Sequence, residues 1–286
     1  MTEVATFATS DQLLVIIDPV ARRADGESVR IAKDVLSAGA ASTKVCLPED
    51  PEEFARALAR RGSRRPVVIG DDRALTRAVA LLHRQRALAE CVLSVVPVGG
   101  SLAVAHALGV PTGPVAAARA VLDGAERRLD LLVDDSDGVV LGMLRIPAPP
   151  AGGGVPSADP AGRPWLQSLV RTLVPVRPSR LSRPVAAPLP PGPARLRVEV
   201  DGTTLVDLDQ PVEAVSVTPG ASGSAEVVVR PSSVGAEAAP LQAYGRTVTV
   251  SGADFRYRAD AAVAGPVRRR TWTVREGALG LMLPVR

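Results

Sequence analysis

The chain has 286 residues, which is long enough to form two domains and to bury a substantial core. Its net charge of +4 is modest for this length and only 2% of its residues are aromatic, which disfavours nucleic-acid binding through a strongly basic surface or through base stacking. Cys46 and Cys91 lie in apolar patterns and are interpreted as buried thiols, and the lack of a secretory or membrane-spanning pattern predicts a cytoplasmic protein.

The first part of the chain alternates strand and helix patterns. Strands are predicted over 12–18 and 43–47, helices over 28–38, 50–61 and 114–122, and strand-turn-helix units over 66–82 and 92–109. A hairpin turning at Asp137-Gly138 is predicted to join strands over 129–133 and 139–146. This alternation indicates a parallel sheet with helices on both faces.

The character of the sequence changes at Pro147. Thirteen prolines lie between Pro147 and Pro193, so residues 147–194 are predicted to form a Pro/Gly/Arg-rich linker, with a short amphipathic helix over 165–174. Strand patterns follow over 195–200, 212–217, 225–230, 246–251, 254–259 and 270–274, with a hairpin turn at Asp201-Gly202. Residues 195–286 are therefore predicted to form a small antiparallel, sandwich-like β-domain.

Two turns carry most of the functional signal. Gly70-Asp71-Asp72-Arg73 follows one predicted strand, and Gly99-Gly100-Ser101 follows the next. Both turns are expected at the carboxyl edge of the parallel sheet, where ligands bind, and we expect them to form one cleft. A glycine turn that opens a helix can hold a phosphate because unobstructed backbone N–H groups converge on the anion. Each turn also fits an ordinary strand-to-helix connection.

The order of these motifs resembles the catalytic-domain family of diacylglycerol kinases, with sphingosine kinases and, more distantly, NAD kinases sharing the core. The resemblance covers residues 12–146 and 195–285 in order, and it is closest in the segment from Phe255 to Pro284. It implies that residues 1–146 form a nucleotide-binding α/β domain. It also implies ATP and Mg²⁺ as cofactors, a lipid such as diacylglycerol as acceptor, and peripheral contact with a membrane.

The individual motifs depart from the family pattern. Asp18-Pro19 stands where the family has Asn-Pro, and Gly70-Asp71-Asp72-Arg73-Ala74 stands where it has Gly-Gly-Asp-Gly-Thr. The stretch Pro97–Ala105 keeps the proline and a glycine of the third motif but lacks its Thr, Asn and Asp. Asp260 matches the aspartate of a late Asp-Gly-Glu motif, whose glutamate is Ala262 here.

The resemblance assigns roles to the residues that match. Asp72 is the first candidate for catalysis and for binding the metal, and Asp260 is the second candidate for catalysis. Asp72 fits equally the N-cap of the helix that follows it. Arg73 could offset the charge of Asp71 and clamp a phosphate. The candidate cofactor-binding residues are Asp18, Gly70, Asp71, Arg73, Gly99, Gly100 and Ser101.

Three functions remain open from the sequence. The order of the motifs favours an ATP-dependent lipid kinase. The substitutions at four separate motifs favour weak or absent catalysis, as in an inactive relative that binds a nucleotide, a lipid or a protein. A kinase for a small molecule, of the NAD kinase type, is the third. The acceptor, the nucleotide preference and the oligomeric state are left undetermined by these patterns.

Overall fold

The computed structural model describes residues 12–148, 193–232 and 239–285. The predicted helix over 165–174 and almost all of the predicted linker over 147–194 lie outside these residues. The described residues belong to a single unit of the fold. The domain bounds derived from the sequence therefore stay a prediction.

The first half of the chain builds a parallel sheet. Its strands are β1 (Gln12–Ile17), β2 (Ser42–Cys46), β3 (Arg65–Gly70) and β4 (Val92–Pro97), in the spatial order β2-β1-β3-β4. The inner strands β1 and β3 are almost continuously buried and apolar, because both faces of a parallel sheet are covered.

Helices cover both faces of this sheet, as predicted. They are α1 (Pro19–Ala24), α2 (Gly26–Gly39), α3 (Pro51–Ala59), α4 (Asp72–Arg84), α5 (Ala103–Ala107) and α6 (Pro114–Asp123). One core cluster packs α1, α2 and α6 against alternate residues of β1, and a second packs α3, α4 and α5 against the remaining ones. Asp50 caps α3 with Pro51 in its first turn, which confirms that part of the prediction.

The rest of the structure is antiparallel. Its strands are β5 (Ala125–Asp134), β6 (Val139–Val140), β7 (Leu144–Ile146), β8 (Ala194–Val200), β9 (Thr203–Val206), β10 (Pro211–Pro219), β11 (Ala225–Pro231), β12 (Leu241–Gly245), β13 (Thr247–Ala259) and β14 (Ala262–Leu283). Their inner faces enclose a core of valines around Trp272, which is fully buried. The Tyr257 ring meets the Trp272 ring edge-on at 5.2 Å between centroids.

The long strand β14 joins the two parts of the sheet. Its first half pairs with β13, and its second half pairs with β5. Near its end, Gly280 and Leu281 pair in parallel with Val92 and Leu93 of β4. The end of the chain therefore extends the parallel sheet that the first half begins.

Three strand predictions need correction. The predicted strand over 139–146 is interrupted between β6 and β7, because the Asp260 carboxylate accepts hydrogen bonds from the backbone N–H groups of residues 141–143. After this break β7 pairs with β10 and β13 rather than with β5. The predicted strands over 246–251 and 254–259 are the single strand β13, whose register shifts between Ser251 and Phe255.

The buried phenol of Tyr257 gives a test of this core. Burial beside the Asp134 carboxylate, which accepts a hydrogen bond from the Tyr257 hydroxyl, raises its pKa from 10.0 to about 12. Because the folded state holds this proton more tightly than the unfolded chain does, the associated stability is complete below pH 10 and is lost as the pH rises towards 12. We expect an alkaline titration of the folded protein to show tyrosinate absorbance that appears only near pH 12.

The substitution Tyr257→Phe should remove the absorbance that appears near pH 12. A wild-type titration with no absorbance change in that range would contradict the assignment.

Candidate functional site

The ends of β1, β3 and β4 lie side by side, and the turns that follow them are in contact. The Asp18 N–H donates to the Ile69 carbonyl at 2.9 Å, and the Val98 N–H donates to the Gly70 carbonyl at 3.0 Å. The Asp72 N–H donates to the Ser101 carbonyl at 2.9 Å. The candidate residues after these three strands are therefore neighbours at the carboxyl edge of the parallel sheet.

Two glycines let these turns approach each other. A Cβ on Gly70 would lie 2.5 Å from the Cβ of Ala74 and 3.1 Å from that of Asp18. Gly99 has a φ of +131°, and a Cβ there would lie 3.1 Å from the Cβ of Asp71. Close packing of the turns therefore explains why glycine, which has no Cβ, stands at both positions.

Asp71 caps helix α4. Its carboxylate accepts hydrogen bonds from the N–H groups of Arg73 and Ala74, at 3.0 and 3.1 Å. The sequence offered Asp72 as the cap of this helix, and that interpretation is wrong by one residue. The cap is the position just before the helix, where the backbone is extended and the side chain can reach the N–H groups of the first turn.

Asp72 instead binds the turn that follows β4 and the start of α5. Its side chain accepts hydrogen bonds from the Ser101 hydroxyl at 2.8 Å and from the N–H groups of Val104 and Ala105 at 3.1 Å. The residue is 1% exposed. A buried carboxylate is stable only where donors replace its water, and these donors do so. Asp72 thereby joins two neighbouring strand-to-helix turns.

Asp260 performs a similar task at the turn between β13 and β14. Its carboxylate accepts hydrogen bonds from the N–H groups of Leu141, Gly142 and Met143, at 2.7, 2.8 and 3.0 Å. Burial raises the pKa of the Asp260 carboxyl, the three amide donors oppose that rise, and the nearby Asp72 charge adds to it. The two acids that the sequence selected as catalytic candidates therefore lie close enough to interact electrostatically.

Asp18 is held by an arginine that sequence reasoning missed. Asp18 is 3% exposed, and its carboxylate accepts hydrogen bonds from the Val20 N–H at 2.8 Å and from Arg77 Nη1 at 3.0 Å. The Arg77 guanidinium also lies 5.6 Å from the centre of the Phe54 ring. Arg77 lies on α4, 59 residues from Asp18, so that no local pattern could reveal the pair.

Arg73, Gly100 and Ser101 form the open part of the candidate site. Arg73 is exposed and makes no ion pair within residues 12–148, 193–232 and 239–285. Gly100 is exposed, and a Cβ there would meet nothing within 4 Å. Cavities of about 330 and 410 Å³ lie elsewhere, and neither is lined by any of the candidate residues.

The acidic residues of this site have donor partners and do not form a metal centre. Across the described part of the chain, no group of three His, Cys, Asp or Glu side chains is arranged to hold a metal ion. Asp72 and Asp260 each accept three hydrogen bonds, and a carboxylate offers about four lone-pair directions. The donor partners therefore leave about one lone-pair direction on each acid for Mg²⁺, which binds through one or two carboxylates together with waters and substrate phosphates.

The fold is that of known solved structures. It resembles a structure from Bacillus anthracis strain Sterne that is provisionally assigned as a diacylglycerol kinase, with a TM-score of 0.67, 14% sequence identity and coverage of 98% of both chains. Two further structures from that strain, one provisionally assigned and one described as a diacylglycerol kinase, give TM-scores of 0.66 at 13% and 12% identity. Each of these covers 96% of this chain and 97% of its own. These likenesses show a shared fold.

Sequence comparisons add no relative. No protein-family model matches the chain, and no curated protein matches it significantly. In the part of the chain that the structure describes, no helix is both long and apolar enough to span a bilayer.

The structure predicts that Asp72 stabilises the fold more than Asp71 does. The substitution Asp72→Ala leaves a hydroxyl and two buried N–H groups without their acceptor, which should cost about 3 kcal/mol of unfolding free energy. The matched substitution Asp71→Ala removes a helix cap and should cost about 1 kcal/mol. Urea unfolding of both variants measures these costs. Equal losses in the two variants would contradict the structural role of Asp72.

Proposed function

We propose that this chain is a diacylglycerol-kinase-like binding protein that holds a nucleotide beside Arg73 and Gly100 and does not transfer its phosphoryl group. The observation that carries the proposal is the state of Asp72 and Asp260, the two acids matching the family motifs. Both use their carboxylates to bind backbone N–H groups. The same oxygens are the ones that catalysis would need.

The proposed loss of transfer is supported by what phosphoryl transfer requires of a site. The reaction requires a divalent metal on the phosphates and a group that accepts the proton of the attacking hydroxyl. Asp72 and Asp260 each keep only about one lone-pair direction that no described donor occupies, and a metal there would share the carboxylate with the backbone N–H groups. Because both acids already hold separate loops together, we assign neither of them a step in a reaction.

The exposed residues of the candidate site support nucleotide binding. Arg73 is exposed and offers a guanidinium that no described acid neutralises. Gly99 and Gly100 donate no backbone hydrogen bond to another described residue. An exposed arginine and backbone N–H groups without a described acceptor, on two turns in contact at the carboxyl edge of a parallel sheet, are an arrangement suited to a phosphate group. The Asp71 charge stands nearby, and Arg73 would offset it.

An active lipid kinase is the second candidate. It is favoured by one observation, the likeness to the diacylglycerol kinase structures over nearly the whole of both chains. In that case ATP would phosphorylate the hydroxyl of a lipid such as diacylglycerol, and the protein would contact a membrane peripherally. The carboxylates of Asp72 and Asp260 would then act through the one lone-pair direction that their present partners leave free, or exchange those partners.

Thermal melting with ATP tests the binding proposal. ATP at about one hundred times its Kd should stabilise the fold by about 2.7 kcal/mol, which raises the Tm by about 5–10 °C, with or without Mg²⁺. The substitution Arg73→Gln should abolish the rise because it removes the unpaired cation. Arg84→Gln is the matched control, since Arg84 is an exposed arginine at the far end of the same helix. An unchanged Tm at millimolar ATP would refute nucleotide binding.

A transfer assay separates the two candidates. The wild-type protein, radiolabelled ATP, Mg²⁺ and vesicles containing diacylglycerol should give no labelled lipid, while a known lipid kinase in the same vesicles should give a clear product. Robust labelling by the wild-type protein would overturn the proposed loss of transfer. The variant Asp72→Asn is unsuitable as the sole control, because Asp72 also holds α5 and the variant could lose activity by losing structure.

A further inference from the structure

A second group of arginines lies on the antiparallel strands, outside the turns that form the candidate nucleotide site. Arg145 of β7 and Arg258 of β13 are directly opposite each other on neighbouring antiparallel strands. Their neighbours in sequence, Leu144, Ile146 and Tyr257, are buried in the core, so the two arginines lie on the outer face of the sheet. Arg256, two residues before Arg258, is exposed on that face as well.

This arrangement works against the stability of the sheet. Side chains that are directly opposite on neighbouring strands have Cβ atoms about 5 Å apart, and like charges at such positions repel. The next strands on either side of this pair supply no acid that could offset the repulsion. Arg145 is also opposite Ser216 of β10, and Arg258 is also opposite Val263 of β14. A row of Ser, Arg, Arg and Val thus crosses four strands without an acid.

The acids nearest in the chain have other partners. Asp260 accepts three backbone hydrogen bonds, and Asp254 pairs with Arg268 at 2.9 Å. No ion pair joins Arg145, Arg256 or Arg258 to any acid of residues 12–148, 193–232 and 239–285. The Nε of Arg258 is buried and makes no hydrogen bond to the described residues. The guanidinium groups therefore lack the acceptors that arginines at such close positions normally have.

We propose that the outer face formed by Arg145, Arg256 and Arg258 binds a phosphate group carried by a water-soluble ligand. A guanidinium presents N–H donors in a planar fork that matches two oxygens of a phosphate, and two opposed arginines can bind one dianion from both sides. The anion would convert the repulsion between Arg145 and Arg258 into a shared attraction. Ser216, beside Arg145, adds a hydroxyl that can donate to the same group.

This inference does not depend on the nucleotide proposal. The arginine face belongs to β7 and β13, whereas Arg73 lies on α4. The two sites can therefore be tested by separate variants. Either site could fail while the other is retained.

The test compares melting in sodium phosphate and in sodium chloride at equal ionic strength. The wild-type Tm should be about 3 °C higher in phosphate at ten times its Kd. The substitution Arg145→Gln should weaken phosphate binding about tenfold, because it removes a charge-assisted hydrogen bond. The same substitution should raise the Tm in chloride, because it removes the repulsion from Arg258. A purely structural role for Arg145 would give the opposite sign in chloride.

Two control variants locate the phosphate. Arg230→Gln alters an exposed arginine on the same face of the sheet, opposite Ala214 rather than another arginine, and should keep the wild-type response. In the Arg73→Gln variant, which removes the cation of the candidate nucleotide site, the further substitution Arg145→Gln should still lower the response. An undiminished response after Arg145→Gln in that variant would overturn the assignment. So would equal melting of the wild-type protein in phosphate and chloride.

A vesicle experiment distinguishes the source of the phosphate. The wild-type protein should not sediment with vesicles of phosphatidic acid in phosphatidylcholine more than the Arg145→Gln variant does. If sedimentation depends on Arg145 while soluble phosphate has no effect on the Tm, the ligand is a lipid headgroup and the proposed soluble ligand is wrong.

Discussion

The structure depends on buried and partly buried carboxylates that bind backbone N–H groups far away in the chain. Asp72 joins the turn after β3 to the start of α5, and Asp260 joins the β13–β14 turn to the segment between β6 and β7. Removing a carboxylate from water is costly, so each such residue needs several donors at once. These hydrogen bonds join separate loops, because only the folded chain brings several donors to one carboxylate.

A third carboxylate shows the same principle in the antiparallel part. Asp130 on β5 accepts hydrogen bonds from the N–H groups of Gly223 and Gly277, both at 2.7 Å. Gly277 has a φ of +55° and lies where the register between β14 and β5 shifts. The irregular point of the longest strand is therefore stabilised by a side chain of its neighbour.

These structural uses of acids bear directly on function. A carboxylate that already accepts three hydrogen bonds has about one lone-pair direction left for a metal. The fold shared with diacylglycerol kinase structures therefore does not by itself carry their chemistry, since function resides in the site rather than in the fold. What remains available to a ligand is basic: Arg73 at the carboxyl edge of the parallel sheet, and the arginines of β7 and β13 on the outer face.

Local patterns in the sequence determined many of the helices and strands and several of the residues at which they begin or turn. The alternating strands and helices of the first half, the Asp50 cap, and the Asp201-Gly202 turn with both φ values positive all follow from short-range rules. The proximity of the turns at Gly70 and Gly99 could also be predicted from the sequence, because the carboxyl ends of neighbouring parallel strands lie at the same edge of a sheet.

Only the tertiary structure decided what the acids do. Local sequence rules do not distinguish Asp71 from Asp72 as the cap of α4. In the structure the helix begins at Asp72, so Asp71 caps it, and the Asp72 carboxylate accepts hydrogen bonds from the first N–H groups of α5. The partners of Asp260 lie up to 119 residues away, and that of Asp18 lies 59 residues away. Periodicity reports which face of an element is apolar, but it carries no information on which distant loop supplies a hydrogen-bond donor. That choice is made when the sheets pack.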